Sequence, residues 1–95
     1  MNTKTVSFVG NFTQKEAIDF KEQLLTEIKS GNKNLTVDLY EVAEADIVGV
    51  NALAIAHKTM GDANGKIQIL LKKDSHISHL LQVTKFNKVL HISYA

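Results

Sequence analysis

Along this chain of 95 residues, short stretches that alternate polar and apolar side chains repeatedly give way to longer ones with apolar residues three and four apart. Strand side chains alternate between two faces, and helix side chains return to one face about every 3.6 residues, so each change of period marks a change of element. Residues 4–9 (KTVSFV) read as a strand with Val6 and Phe8 on one face, ended by Gly10 and Asn11. Residues 35–39 and 66–71 read the same way, with Leu35, Val37 and Leu39, then Ile67, Ile69 and Leu71, each sharing a face. Residues 89–93 supply a last strand. The order β-α-β-α-β-α-β predicts an α/β domain with right-handed crossovers. Strands covered on both faces are apolar throughout, and these are not. The helices are therefore expected mainly on one face, leaving Ser7, Thr36, Gln68, His91 and Ser93 on the other. The expected architecture is one small α/β domain over residues 1–95, with three helices on a mixed sheet of about four strands, the last three parallel.

The helix boundaries carry their own signals. Thr13 and Glu16 form a T-x-x-E capping box, and Ala17, Phe20, Leu24 and Ile28 follow at helical spacing, with Leu25 widening the stripe. Gly31 suits a left-handed cap at the end. Residues 41–45 read as a loop, and Asp46 as the N-cap of a second helix whose inner stripe is Val50, Leu53, Ala54, His57 and Met60. That helix closes in the turn chemistry of residues 61–65. Asp74 or Ser75 caps a third, with Ile77, Leu80, Leu81 and Thr84 inward.

Several function classes are disfavoured at this level. With 11 basic and 10 acidic residues the net charge is +1, which provides no basic face for nucleic acid. No apolar run is long enough to span a bilayer, and the opening MNTKTVSFVGN lacks the apolar core of a signal peptide. The absence of cysteine fits a reducing compartment, so a cytoplasmic location is expected. There is no G-x-S-x-G elbow, P-loop or G-x-G-x-x-G, and no spacing of Ser, His and Asp that singles out a nucleophile, so enzymatic activity is not expected.

The remaining polar candidates have plain readings. His76 and His79 lie three apart on a helix but off its apolar stripe, and read as solvated; a metal site would need a further ligand. His57 reads as a core histidine bonded to backbone. Asp38 and Asp46 could sit close together, yet one suits a loop anchor and the other a helix cap, with Lys72 and Lys73 near enough to pair with either. Thr59, Ser75 and Ser78 read as ordinary helix and cap residues. The outer face of the second helix is more telling. Val48, Asn51, Ala52, Ile55 and Thr59, joined by Ile47, make a small apolar patch where a solvated helix would carry Lys or Glu. Such a patch points to a protein interface, or to a helix buried on more than one side.

The run VDLYEVAEADIVGVNALAIAHKTMGDANGKIQIL resembles the signature of STAS domains, the anti-sigma factor antagonist family. That signature is a strand ending in Asp-Leu, a loop, Asp-Ser-Ser-Gly-Leu, a helix, a glycine-rich turn and a strand. Asp38 and Leu39 match its first part, and Asp46 and Gly49 match the second, with Val50 at the following apolar position. SHISHLLQVTKFNKVLHI resembles the family's next helix and closing strand, and Gly10 its glycine before the first helix. The resemblance implies a binding module without a cofactor. Typical members bind a serine kinase that is also an anti-sigma factor, and the kinase phosphorylates the second serine of the motif. A phosphoserine brings up to about two negative charges into an interface and can abolish docking. Here Ile47 and Val48 replace both serines, so Val48 marks a degenerate phosphosite.

The expected partner-binding residues are Asp46, Ile47, Val48, Gly49, Asn51, Ala52, Ile55 and Thr59, facing a kinase-type anti-sigma factor or another signalling protein. The alternatives are an accessory subunit of a membrane transport system, or a nucleotide or anion sensor using the Val48–Gly49 amides and Lys72. Asp46 weighs against the sensor. Family members usually have two strands before the first helix and often a further helix at the end. This sequence offers room for one such strand and stops at Ala95, a trimmed form in which association into a homodimer or larger complex is expected.

Overall fold

The computed structural model describes residues 3–94. Its elements are β1 (Lys4–Ser7), β2 (Gly10–Phe12), α1 (Gln14–Lys29), β3 (Asn34–Asp38), β4 (Val42–Ala45), α2 (Ile47–Asp62), β5 (Lys66–Leu71), α3 (His76–Thr84) and β6 (His91–Tyr94). The main sheet has four strands in the order β1-β3-β5-β6, and a second sheet pairs β2 with β4. The last three strands of the main sheet are parallel, as expected, but β1 is parallel to β3 as well, so that sheet is not mixed. A helix lies between each successive pair of main-sheet strands, and such a crossover returns the chain to the same end of the sheet.

Register shows which face is covered. Val6, Val37, Ile69 and Ile92 share one row, and Ser7, Asp38, Leu70 and Ser93 the next. Val6, Val37 and Ile69 are buried, whereas Ser7 and Ser93 are exposed. The open face therefore carries Ser7, Thr36, Gln68 and Ser93, and Gln68 Nε2 donates to Ser93 Oγ at 2.6 Å. His91 shares a row with Gln68, and its ring lies beside that of His57 of α2, with centroids 5.6 Å apart.

Two strands precede α1, not one, and residues 41–45 are not a free loop. Gly10, Asn11 and Phe12 pair with Val42, Glu44 and Ala45, with a register shift between Gly10 and Asn11. Gly10 has φ +106°, a value that favours glycine and lets the chain turn out of β1 into β2. Phe12 is fully buried and meets Phe8 and Phe20 edge-to-face, with centroids 5.2–5.6 Å apart. Burying one such ring stabilises a fold by roughly 1.5–3 kcal/mol.

The helices follow their apolar stripes. In α1, Ala17, Phe20, Leu24 and Ile28 are buried. The helix ends in a Schellman motif: the Gly31 amide donates to the Ile28 carbonyl at 3.1 Å and the Asn32 amide to that of Glu27 at 3.3 Å. α2 closes the same way, with Asn64 in the left-handed position at φ 62°. Its buried residues are Val50, Leu53 and Met60 together with Gly49, Ala52 and Ala56; Ala54 and His57 are only half-buried. The small residues of that second stripe let a neighbour approach closely, and α1 is the element packed most extensively on α2. α3 buries Ile77, Ser78 and Leu81 and is capped by Ser75.

Candidate functional site

The start of α2 is a joint between two helices. Asp46 Oδ1 accepts the Gly49 amide at 3.2 Å, the expected N-cap bond. Its other oxygen, Oδ2, accepts the Gln14 amide at the start of α1 at 3.3 Å. Thr13 is the N-cap residue of α1, but its side chain makes no capping bond. The expected capping box is therefore replaced by a carboxylate from 32 residues further along the chain. Two positive helix ends converge on one negative group, which suits both dipoles. Gly49 then packs directly on β2: a Cβ there would lie 2.7 Å from both the ring and the carbonyl oxygen of Phe12.

From this joint the outer face of α2 leads away. Ile47 is 52% exposed and Ile55 44%, with exposed Asn51 between them. Val48 is half-buried and rests against the core, and Thr59 is half-buried with its hydroxyl bonded to the Ile55 carbonyl at 2.8 Å. Ala52 does not belong to this surface. It is 3% exposed, because α2 is covered on a second side as well as by the sheet. Beyond Ile55 the exposed stripe turns charged, with Lys58 and Asp62 paired at 3.3 Å. The apolar patch is thus confined to the half of α2 nearest Asp46.

The model of the family described as Mlab, STAS domain, matches residues 1–91. The chain is a STAS domain. A Thermotoga maritima crystal structure, of a protein provisionally assigned as an anti-sigma factor antagonist, has a TM-score of 0.81 at 16% identity, covering 96% of this chain and 79% of that one. That likeness shows the fold. A search of curated proteins returned no match. The STAS family is a non-catalytic, regulatory one built for protein interaction. Among the described residues, no helix is long and apolar enough to cross a membrane.

Other polar groups of this STAS domain support the same loop. His76, at the first position of α3, accepts the Ala45 amide through Nδ1 at 3.2 Å, tying α3 to the residue before Asp46. It is exposed but engaged, not simply solvated. Asp38 Oδ1 accepts the Tyr40 amide at 3.0 Å and anchors the β3–β4 turn as expected. Lys72 pairs with neither acid; its Nζ lies 5.9 Å from the centre of the Tyr40 ring. His57 has the His91 ring as its neighbour and no backbone acceptor among the described residues. Sequence reasoning missed Phe12, Gln14 and His76 as organisers of the site. Only Gly49 gave a signal, since a glycine in the first turn of a helix implies close backbone approach.

Proposed function

We propose that this STAS domain is a non-enzymatic docking module. It captures a protein partner, a kinase-type anti-sigma factor or another signalling protein, through Ile47, Val48, Asn51, Ile55 and Thr59, with Asp46 and Gly49 holding the surface in shape. The observation that carries this reading is the pair of exposed isoleucines, Ile47 and Ile55, flanking a helix start otherwise tied down by capping and packing. An exposed β-branched side chain costs solvation and returns it on burial in an interface. Val48 carries no hydroxyl, so a partner kinase has no acceptor there, and docking is not subject to phosphoserine control at that position.

The anion-sensing alternative at Val48–Gly49 is disfavoured because the Asp46 carboxylate already takes the Gly49 amide and sets its own negative charge where an anion would sit. The transport-subunit alternative uses the same surface and differs only in the partner. Affinity capture with the purified domain, followed by mass spectrometry, tests the reading. Val48→Asp should weaken capture, but Val48 also touches the core, so Ile47→Asp and Ile55→Asp are the cleaner variants. If both single variants retain the wild-type set of captured proteins, the docking surface lies elsewhere. The identity of the captured protein separates a signalling complex from a transport assembly.

A further inference from the structure

The start of α3 contrasts with that of α2. Its N-cap is a neutral serine, and the segment before it forms a polar cleft. Lys73, Asp74, Ser75, Ser78, His79 and Gln82 line a cavity of about 200 Å³. Ser78, His79 and Gln82 lie three, four and seven residues after the N-cap Ser75, on one flank of the helix, and Lys73 and Asp74 of the preceding segment complete the lining. Ser75 Oγ accepts the Ser78 amide at 3.2 Å and donates to the Lys72 carbonyl at 2.7 Å, so its hydrogen-bonding role is filled. Ser78 differs. It is 1% exposed, lines the cleft, and its Oγ has no hydrogen-bond partner. A buried hydroxyl without a partner is costly, and such a group marks a place where a partner is missing. The amides of His76 and Ile77, in the first turn, also lack an acceptor among the described residues.

We propose that this cleft binds inorganic phosphate. The first turn of a helix presents a positive dipole end, and Lys73, which forms no ion pair among the described residues, adds a full charge. Ser78 Oγ donates one hydrogen bond to the anion, and Lys73 and the Gln82 amide supply others at the rim. Asp74 is the apparent obstacle, since a carboxylate repels an anion. It is also the only carboxylate among the residues lining the cleft. Hydrogenphosphate keeps a P–OH at neutral pH, which a carboxylate can accept; sulfate has no such proton, and a phosphate monoester is mostly a dianion without one. Asp74 thus turns a general anion site into one that prefers inorganic phosphate. The site does not rest on the docking surface, although His76 links the two through Ala45.

The test is an NMR amide-shift titration of the ¹⁵N-labelled domain at constant ionic strength, with sodium phosphate, sodium sulfate and phosphoserine in separate arms. Saturable shifts with phosphate at residues 73–79, weaker by about tenfold in Ser78→Ala and in Lys73→Gln, support the site. Sulfate and phosphoserine should bind more weakly than phosphate, and Asp74→Asn should narrow that gap. Equal response to all three anions, non-saturating shifts, or unchanged binding by Ser78→Ala would overturn it. Without phosphate, Ser78→Ala should hold or raise Tm, because it deletes an unpaired buried hydroxyl; a marked fall in Tm would show that Ser78 Oγ already has a partner within the protein.

Discussion

α1 and α2 have the same length, 16 residues, and pack against each other, yet their exposed faces differ. That of α1 carries Lys15, Glu16, Asp19 and Glu22, with Lys15 and Asp19 paired at 3.0 Å, a bond that holds the lysine's pKa above its ordinary value through the carboxylate's hydrogen bond and charge. Ile18 is the one large apolar residue exposed there. The exposed stripe of α2 has Ile47, Asn51 and Ile55 first and charges only beyond Ile55. A helix that only packs and faces water has no use for two exposed isoleucines. On the docking proposal, α1 is a structural wall and the first turns of α2 are the surface a partner covers.

The largest effect should come from the floor under that surface. Gly49→Ala places a methyl group against the Phe12 carbonyl, which cannot swing away, so stability should fall by roughly 2–3 kcal/mol in urea unfolding despite alanine's better helix propensity. Next comes the joint shared by the two helices. Asp46→Ala uncaps both and should cost about 2 kcal/mol, whereas Asp46→Asn, with a single acceptor oxygen, should cost about half as much. Equal stability of the two variants would show that one of the cap bonds contributes nothing.

Smaller effects on folding separate the two faces. Ile47→Asp and Ile55→Asp should change stability by no more than about 0.5 kcal/mol while sharply reducing partner capture. Ile18→Asp should change neither quantity, since its exposure on α1 is isolated. Loss of capture in Ile18→Asp would extend the docking surface across both helices and break the contrast between them.

Much of this is legible in the sequence. The alternation of residues 4–9, 35–39 and 66–71 marks strands covered on one face, and the stripe Ala17, Phe20, Leu24 and Ile28 fixes the buried side of α1. Gly31 announced the end of α1, and Asp46 the start of α2. These signals are local: periodicity and capping chemistry act within a few residues. The short strands β2 and β4 left no such trace, because three or four residues cannot establish a period and their pairing joins segments about thirty residues apart.

The sequence by itself thus determined the α/β class, the helix positions, the apolar character of the first half of α2, and the absence of a hydroxyl at Val48. Tertiary structure alone decided that Ala52 is covered, that β1 runs parallel to its neighbour, and that Asp46, not Thr13, caps α1. It also decided that His76 holds the Ala45 amide and that Ser78 is buried without a partner. The physical reason is common to all of these. Each depends on which remote segment approaches, and a helix stripe or an N-cap residue states only that something must lie there, not what does.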